Sequence, residues 1–182
     1  MARLPYVDPA TAPERVREVL EALPAQLNIF KMMANCETTF RPFLGLGSAL
    51  LGSKTFDHKL RELVILHVGK ISRGEYEWVQ HVPIAEACGA TAEQIAALDA
   101  GKITAGCFDA TEKAVLQFAT EAIENVKTSQ ATFDAVADHL STDQIVELIM
   151  ILGFYRTVAM LTETTDIEID EPVGTGIVDA VQ

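Results

Sequence analysis

Arg61-Glu62-Leu63-Val64-Ile65-Leu66-His67-Val68-Gly69-Lys70-Ile71-Ser72-Arg73-Gly74, followed at once by Glu75-Tyr76-Glu77-Trp78-Val79-Gln80-His81, is the stretch that decides the fold. At helical periodicity Leu60, Leu63, Val64, Val68 and Ile71 form one apolar stripe, and Ile65 and Leu66 lie opposite, flanking Glu62 and Gly69. A helix that is apolar nearly all round is buried, inside its own domain or in an oligomer. Ser72-Arg73-Gly74 ends it, and a second helix is expected over 75–88, stopped by Gly89. There Glu77 and His81 share a face that Ile84 and Cys88 extend, while Trp78, Val82 and Ala85 form a second apolar stripe. A carboxylate beside an imidazole raises its pKa and fixes its tautomer, and desolvation opposes the charged forms of both. Such opposing shifts give a proton donor or acceptor near neutrality. The plainer reading is a surface Glu–His pair. Pro83, two residues past His81, is expected to bend the helix or release the Val79 carbonyl, opening space beside the imidazole.

Outward from this block the helical periodicity continues, and no strand, low-complexity tract or repeat emerges. Residues 1–11 read as an extended, Pro-rich arm. Pro13-Glu14, with Thr11 as N-cap, opens a short helix closed by Pro24. Further helices are expected over Asn28–Asn35, from about Pro42 to Leu51, and from a cap at Asp57 or Thr55 into the buried helix. Beyond Gly89 they run from Thr91 to Gly101, from Asp109 or Thr111 to Val126, from Ser129 to His139, and from Thr142 to about Thr162. The segment 166–182 alternates acids with Ile167 and Ile169 and reads as an extended or partly disordered tail lying over a neighbour. The fold class is all-α, with residues 1–182 as a single domain.

Composition narrows the function classes. Of 182 residues 49% are apolar, enough for a sizeable core without disulfides or metal. A net charge of −12 with no basic run argues against nucleic-acid and acidic-membrane partners. Cys36, Cys88 and Cys107 form no Cys-x-x-Cys pair and read as small buried hydrophobes. No secretory signal is evident, and no uninterrupted apolar run reaches the ~18 residues of a membrane span. The expected location is cytoplasmic.

The spacing is twelve from Glu62 to Gly74, three from Gly74 to Glu77 and four from Glu77 to His81. That ruler resembles the glutamate, Cys-x-x-Cys, histidine signature of alkylhydroperoxidase D-like proteins in the carboxymuconolactone decarboxylase superfamily, with Gly74 and Glu77 where the two cysteines would stand. The resemblance is strongest over 55–100 and extends more weakly from Glu147-Leu148-Ile149 to Tyr155-Arg156. It implies an alkylhydroperoxidase D-like helical bundle, commonly a trimer or hexamer. Its peroxidase branch uses the cysteine pair with glutamate and histidine; its decarboxylase branch lacks the cysteines and carries a glutamate four residues before the histidine. Glu77 and His81 match the second branch, and Glu62 resembles the first.

The expected function is a small-molecule lyase of the carboxymuconolactone decarboxylase type, carrying out acid–base decarboxylation or isomerisation of a carboxylated lactone or enolisable carboxylic acid, without metal or other cofactor. His81 would transfer the proton, Glu77 would orient it, and Glu62 would be a second relay group. Tyr76, Trp78 and Arg156 are candidate substrate contacts, against plainer readings as packing residues and a helix-surface ion pair. His67, in the middle of an apolar stripe, reads as a hydrogen-bonded core residue. The alternatives are a non-catalytic oligomeric ligand-binding protein and, with Cys88 as a lone thiol, a peroxidase-like antioxidant protein.

Overall fold

The computed structural model describes residues 1–174, and among these the regular structure is entirely helical. The helices are α1 (Glu14–Ala22), α2 (Asn28–Met33), α3 (Glu37–Leu51), α4 (His58–Ser72), α5 (Glu75–Ala87), α6 (Ala92–Asp99), α7 (Ala110–Asn125), α8 (Gln130–Ala137) and α9 (Thr142–Thr165).

α4 is the axis. Asp57 caps it by accepting a hydrogen bond from the Leu60 amide, and every residue from Leu60 to Gly69 is buried, Arg61, Glu62 and His67 included. α5, α6, α7 and α9 pack around it, which explains its all-round apolarity within one chain. Thr91, Asp109 and Ser141 sit in capping boxes, and Ser129 accepts a hydrogen bond from the Thr132 amide, so each short helix begins where its backbone amides find a partner.

Three sequence expectations need correction. α1 has Pro13, not Thr11, at its N-cap, and its cap makes no side-chain hydrogen bond. α3 starts at Glu37 and carries Pro42 inside it. Pro42 removes one amide near the start of the helix, opposite the carbonyl of Thr38, a residue in an exposed run. Cys36, expected as a buried hydrophobe, is exposed, and Cys88 and Cys107 are half-buried. α5 continues through Pro83 to Ala87, and Pro83, having no N–H, leaves the Val79 carbonyl without its helical partner.

α9 is long and apolar enough to cross a membrane, with mean hydropathy 1.7, yet 44% of that window is buried inside the protein. One side of α9 packs on α4, α5 and α3 through Leu148, Ile151, Tyr155 and Val158. Its other side exposes Val146, Ile149, Met150 and Met160.

The arm and the tail are tied together. The Arg3 amide donates to the Thr165 carbonyl, the Arg3 guanidinium lies 2.6 Å from Asp166, and Tyr6 hydrogen-bonds Glu168. Asp170 accepts from the Tyr76 hydroxyl and from the Asn28 amide, both at 2.7 Å. The first part of the tail thus lies across α2 and α5; the expectation for 175–182 falls outside the described residues.

Candidate active site

A cavity of about 300 Å³ opens between the α1–α2 link, α2, α3, α5 and α9. Its walls are mostly apolar, with Phe43 and Phe154 stacked at 4.4 Å. Gly47 makes that stack possible, because a Cβ there would meet Phe154 Cζ at 2.7 Å. The polar side groups on the wall come from Ser48, Tyr76, Glu77, Gln80, His81 and Tyr155.

His81 is fixed from behind. Its Nδ1 lies 2.8 Å from Oε2 of Glu62, which is fully buried on α4. The other Glu62 oxygen accepts from Arg61 Nε at 3.0 Å, and Arg61 Nη1 donates to the Leu51 carbonyl at 2.6 Å. Arg61 is itself fully buried, and its Nη2 has no partner among the described residues. A carboxylate accepting from Nδ1–H sets the tautomer that leaves a lone pair on Nε2, the ring nitrogen free to act in the cavity.

Glu77 is not the orienting partner of His81; Glu62 holds that place. Helical side chains lean toward the N-terminus of their helix, and Glu77 lies in the first turn of α5, so its carboxyl leans back over Gly74. Gly74 has an ordinary φ of −81°, and the left-handed turn between the helices is taken by Arg73. The glycine keeps that space open: a Cβ at position 74 would overlap Glu77 Oε2 unless the carboxyl swung away. The carboxyl of Glu77 therefore occupies the volume that a side chain at 74 would fill.

Burial pushes Glu77 up to about 6, against smaller opposing pulls that include the Thr162 hydroxyl and His81. Thr162 Oγ1 is 3.2 Å from Glu77 Oε1 and 3.2 Å from the Ala159 carbonyl. Thr162 is the donor in both contacts, its one proton shared between the Glu77 carboxyl and the Ala159 carbonyl, so the carboxyl receives only part of a hydrogen bond. Burial also holds the Tyr155 hydroxyl well above its ordinary value, and its ring meets the His81 ring edge-on at 5.1 Å.

The remaining candidates divide. Tyr76 is on the cavity wall, though its hydroxyl is engaged by Asp170. Trp78 and Arg156 do not line the cavity. Trp78 faces away from the cavity, packing with the Leu63–Leu98 cluster under the Lys70 ammonium, because it is one residue on from Glu77 and so about 100° round the helix. His67 is a core residue hydrogen-bonded to Thr120, drawn down to about 4 by burial. The sequence reading gave no role to Gln80 and treated Tyr155 only as a neighbour of Arg156. Gln80 could have been found from its place one residue before His81, on the same side as Tyr76 and Glu77.

Residues 37–121 match the family model described as the carboxymuconolactone decarboxylase family. An alkylhydroperoxidase AhpD core, an uncharacterized peroxidase-related protein from Ralstonia eutropha JMP134, has a TM-score of 0.79 at 20% identity over 93% of this chain and 92% of that one. An uncharacterized peroxidase-related protein from Silicibacter sp. TM1040 gives 0.77 at 17% identity, over 93% and 92%. A variant of the debrominase Bmp8 in complex with 2,3,4-tribromopyrrole gives 0.76 at 17% identity over the whole of both chains. No curated protein matches the sequence. At these identities the structural likeness is one of fold.

Proposed function

We propose that this chain, which carries a carboxymuconolactone decarboxylase family segment on an alkylhydroperoxidase D-like fold, is a thiol-free acid–base catalyst that moves a proton at carbon in a small enolisable molecule. The observation that carries this reading is one cavity shared by His81, held through Nδ1 by buried Glu62, and by Glu77, a carboxyl raised toward neutrality. His81 Nε2 takes a proton from the carbon next to a carbonyl, and that C–H electron pair becomes the new C=C bond. The carbonyl π pair moves onto oxygen, which takes the Glu77 proton. Glu62 stabilises the imidazolium meanwhile. In the reverse sense the enol O–H returns its proton to Glu77 and the imidazolium protonates a carbon of the enol; protonating a different one isomerises the substrate. Decarboxylation would share the protonation at carbon but needs an anionic substrate, and no Lys or Arg among the described residues lines the cavity.

A positioned acid or base is worth about 10²–10⁴ in rate. The test is deuterium incorporation from D₂O into a panel of small lactones, ring ketones and enolisable acids, followed by proton NMR. Exchange catalysed by the wild type and cut by about 10²-fold or more in His81→Gln, with assembly unchanged, supports the reading. A wild type that exchanges no member of the panel refutes it. The 2,3,4-tribromopyrrole complex of the debrominase neighbour is in keeping with a ring-sized apolar ligand.

A thiol peroxidase has little to draw on. The three cysteines are unpaired; Cys88 is held above its ordinary value by burial, which disfavours the thiolate, and Cys36, lowered by hydrogen bonds to Thr39 and Thr38, is exposed and away from the cavity. Assembly belongs to this reading too. The exposed Val146, Ile149, Met150 and Met160 lie along one side of α9, and we assign them to contact with a second copy of the chain in a homo-oligomer, a trimer or hexamer.

A further inference from the structure

Two tyrosines stand on the cavity wall, and their hydroxyls are placed differently. Tyr76 donates its proton to Asp170 at 2.7 Å. Tyr155 comes from α9 and sets its ring edge-on to His81 at 5.1 Å and to Phe154 at 5.3 Å. Its hydroxyl makes no hydrogen bond to any described residue, yet it is not sealed off as Gln80 Oε1 and Arg61 Nη2 are. Tyr155 is 4% exposed, and that remainder includes the hydroxyl. For a residue packed on its other sides, the space it faces is the cavity.

Chemistry fixes what this oxygen offers. Burial, helped by the nearby Glu62 carboxylate, holds the Tyr155 hydroxyl well above its ordinary value, so it keeps its proton at neutral pH. His81, with Nδ1–H given to Glu62, presents a lone pair, and Tyr155 supplies the complementary donor. An unmatched hydroxyl in a mostly apolar pocket is unfavourable, and a few polar groups on such a wall are what orient a bound molecule. No described Lys or Arg lines the cavity and residues 175–182 contain neither, so the acceptor arrives on an uncharged molecule. The Phe43–Phe154 stack favours a ring.

We propose that Tyr155 is a binding and catalytic residue of this cavity, its hydroxyl donating to the carbonyl oxygen of an uncharged ring ketone, ester or lactone and so holding the adjoining carbon at His81 Nε2. The proposal rests on the proton-transfer reading for its site. In that reaction the same bond strengthens as negative charge develops on the oxygen. A carbonyl oxygen has two lone pairs, so Tyr155 adds to the acid at Glu77 and does not replace it.

The probe is methyl benzoate carrying carbon-13 at its carbonyl, an uncharged ring ester that cannot enolise, followed by isotope-edited infrared spectroscopy at pH ~8. There Glu77, which titrates at about 6, has released its proton and can only accept. Hydrogen bonding lowers a carbonyl stretching frequency. In the wild type, and in Ser48→Ala as the control for a second wall hydroxyl, the bound ester is expected below its frequency in hexane. In Tyr155→Phe the frequency returns to the hexane value and affinity falls about fivefold. The urea midpoint of that variant stays put, because the lost hydroxyl has no described partner in the protein. Tyr155→fluorotyrosine, a stronger donor of nearly the same size, lowers the frequency beyond the wild type and decides the matter should the phenylalanine variant not fold.

A wild-type ester at its hexane frequency, a lowered frequency that survives in Tyr155→Phe or ignores fluorotyrosine, or no binding at millimolar ester overturns the proposal. The ester cannot exchange a proton at carbon, so the two ideas separate. A carbonyl that responds to Tyr155 in a protein without deuterium exchange sinks the catalytic reading alone, and exchange in a protein whose bound carbonyl ignores Tyr155 sinks this one alone.

Discussion

Glu77→Gln should make the protein more stable, and only above a definite pH. The wild-type carboxyl is 2% exposed and titrates at about 6 in the folded chain, against an ordinary 4.5. Between those values the unfolded chain has released the proton that the folded chain still holds, so stability falls as pH rises through this window. At ~1.4 kcal/mol per pH unit, the shift from 4.5 to about 6 amounts to ~2 kcal/mol, fully lost above pH ~6.5. Glutamine has nearly the shape of the neutral acid, keeps a group for Thr162, and cannot ionise. The variant should match the wild type below pH ~4 and exceed it by ~2 kcal/mol at pH 7.5, and its urea midpoint there should be higher by ~1 M. The assay is urea unfolding of both proteins at fixed concentration from pH 4 to 8. A stability difference that does not change with pH, or a variant weaker than the wild type at pH 7.5, would refute the burial argument for Glu77. Gained stability with lost activity is the exchange expected where a site keeps a group in an unfavourable state for its chemistry.

Glu62→Ala should act in the opposite sense, because it strands fully buried Arg61 and frees His81 at once. A loss of ~3–5 kcal/mol is expected, seen as a melting temperature ~6–20 °C lower; a loss below ~1 kcal/mol would mean that the buried pair is not formed. Gly47→Ala places its methyl against Phe154 Cζ, so the Phe43–Phe154 stack must shift. About 1–3 kcal/mol of stability should go with it, and a urea midpoint unchanged from the wild type would count against the stack as a tightly packed wall of the cavity.

The helices were legible because periodicity and caps are local signals. Asp57, Thr91, Asp109 and Ser129 each sit where the next helix needs an acceptor, and each caps it. α3 was misplaced because Pro42 reads as a helix opener, although an early interior position on a solvated helix also accepts proline. Within the site, the residue types were visible but their pairing was not. Glu62 and His81 are nineteen residues apart on different helices, and their 2.8 Å contact follows from how α4 and α5 pack. Glu77 shares a face with His81 in projection, yet its side chain leans the other way, over Gly74. Arg61, Gln80 and Tyr155 carry no motif; burial alone gives them significance, and burial of a polar side chain is a tertiary property.

The volume shared by Gly74 and Glu77 constrains how such a chain could change its chemistry over generations. Any side chain at 74 collides with the glutamate at 77, whereas shortening residue 77 first leaves only unfilled space. A residue larger than glycine at 74 is therefore taken with least disturbance once 77 has been shortened. In the other order the Glu77 carboxyl must first swing out of its buried place and leave the Thr162 hydroxyl. The two positions share one volume, and what stands at either sets what the other can hold.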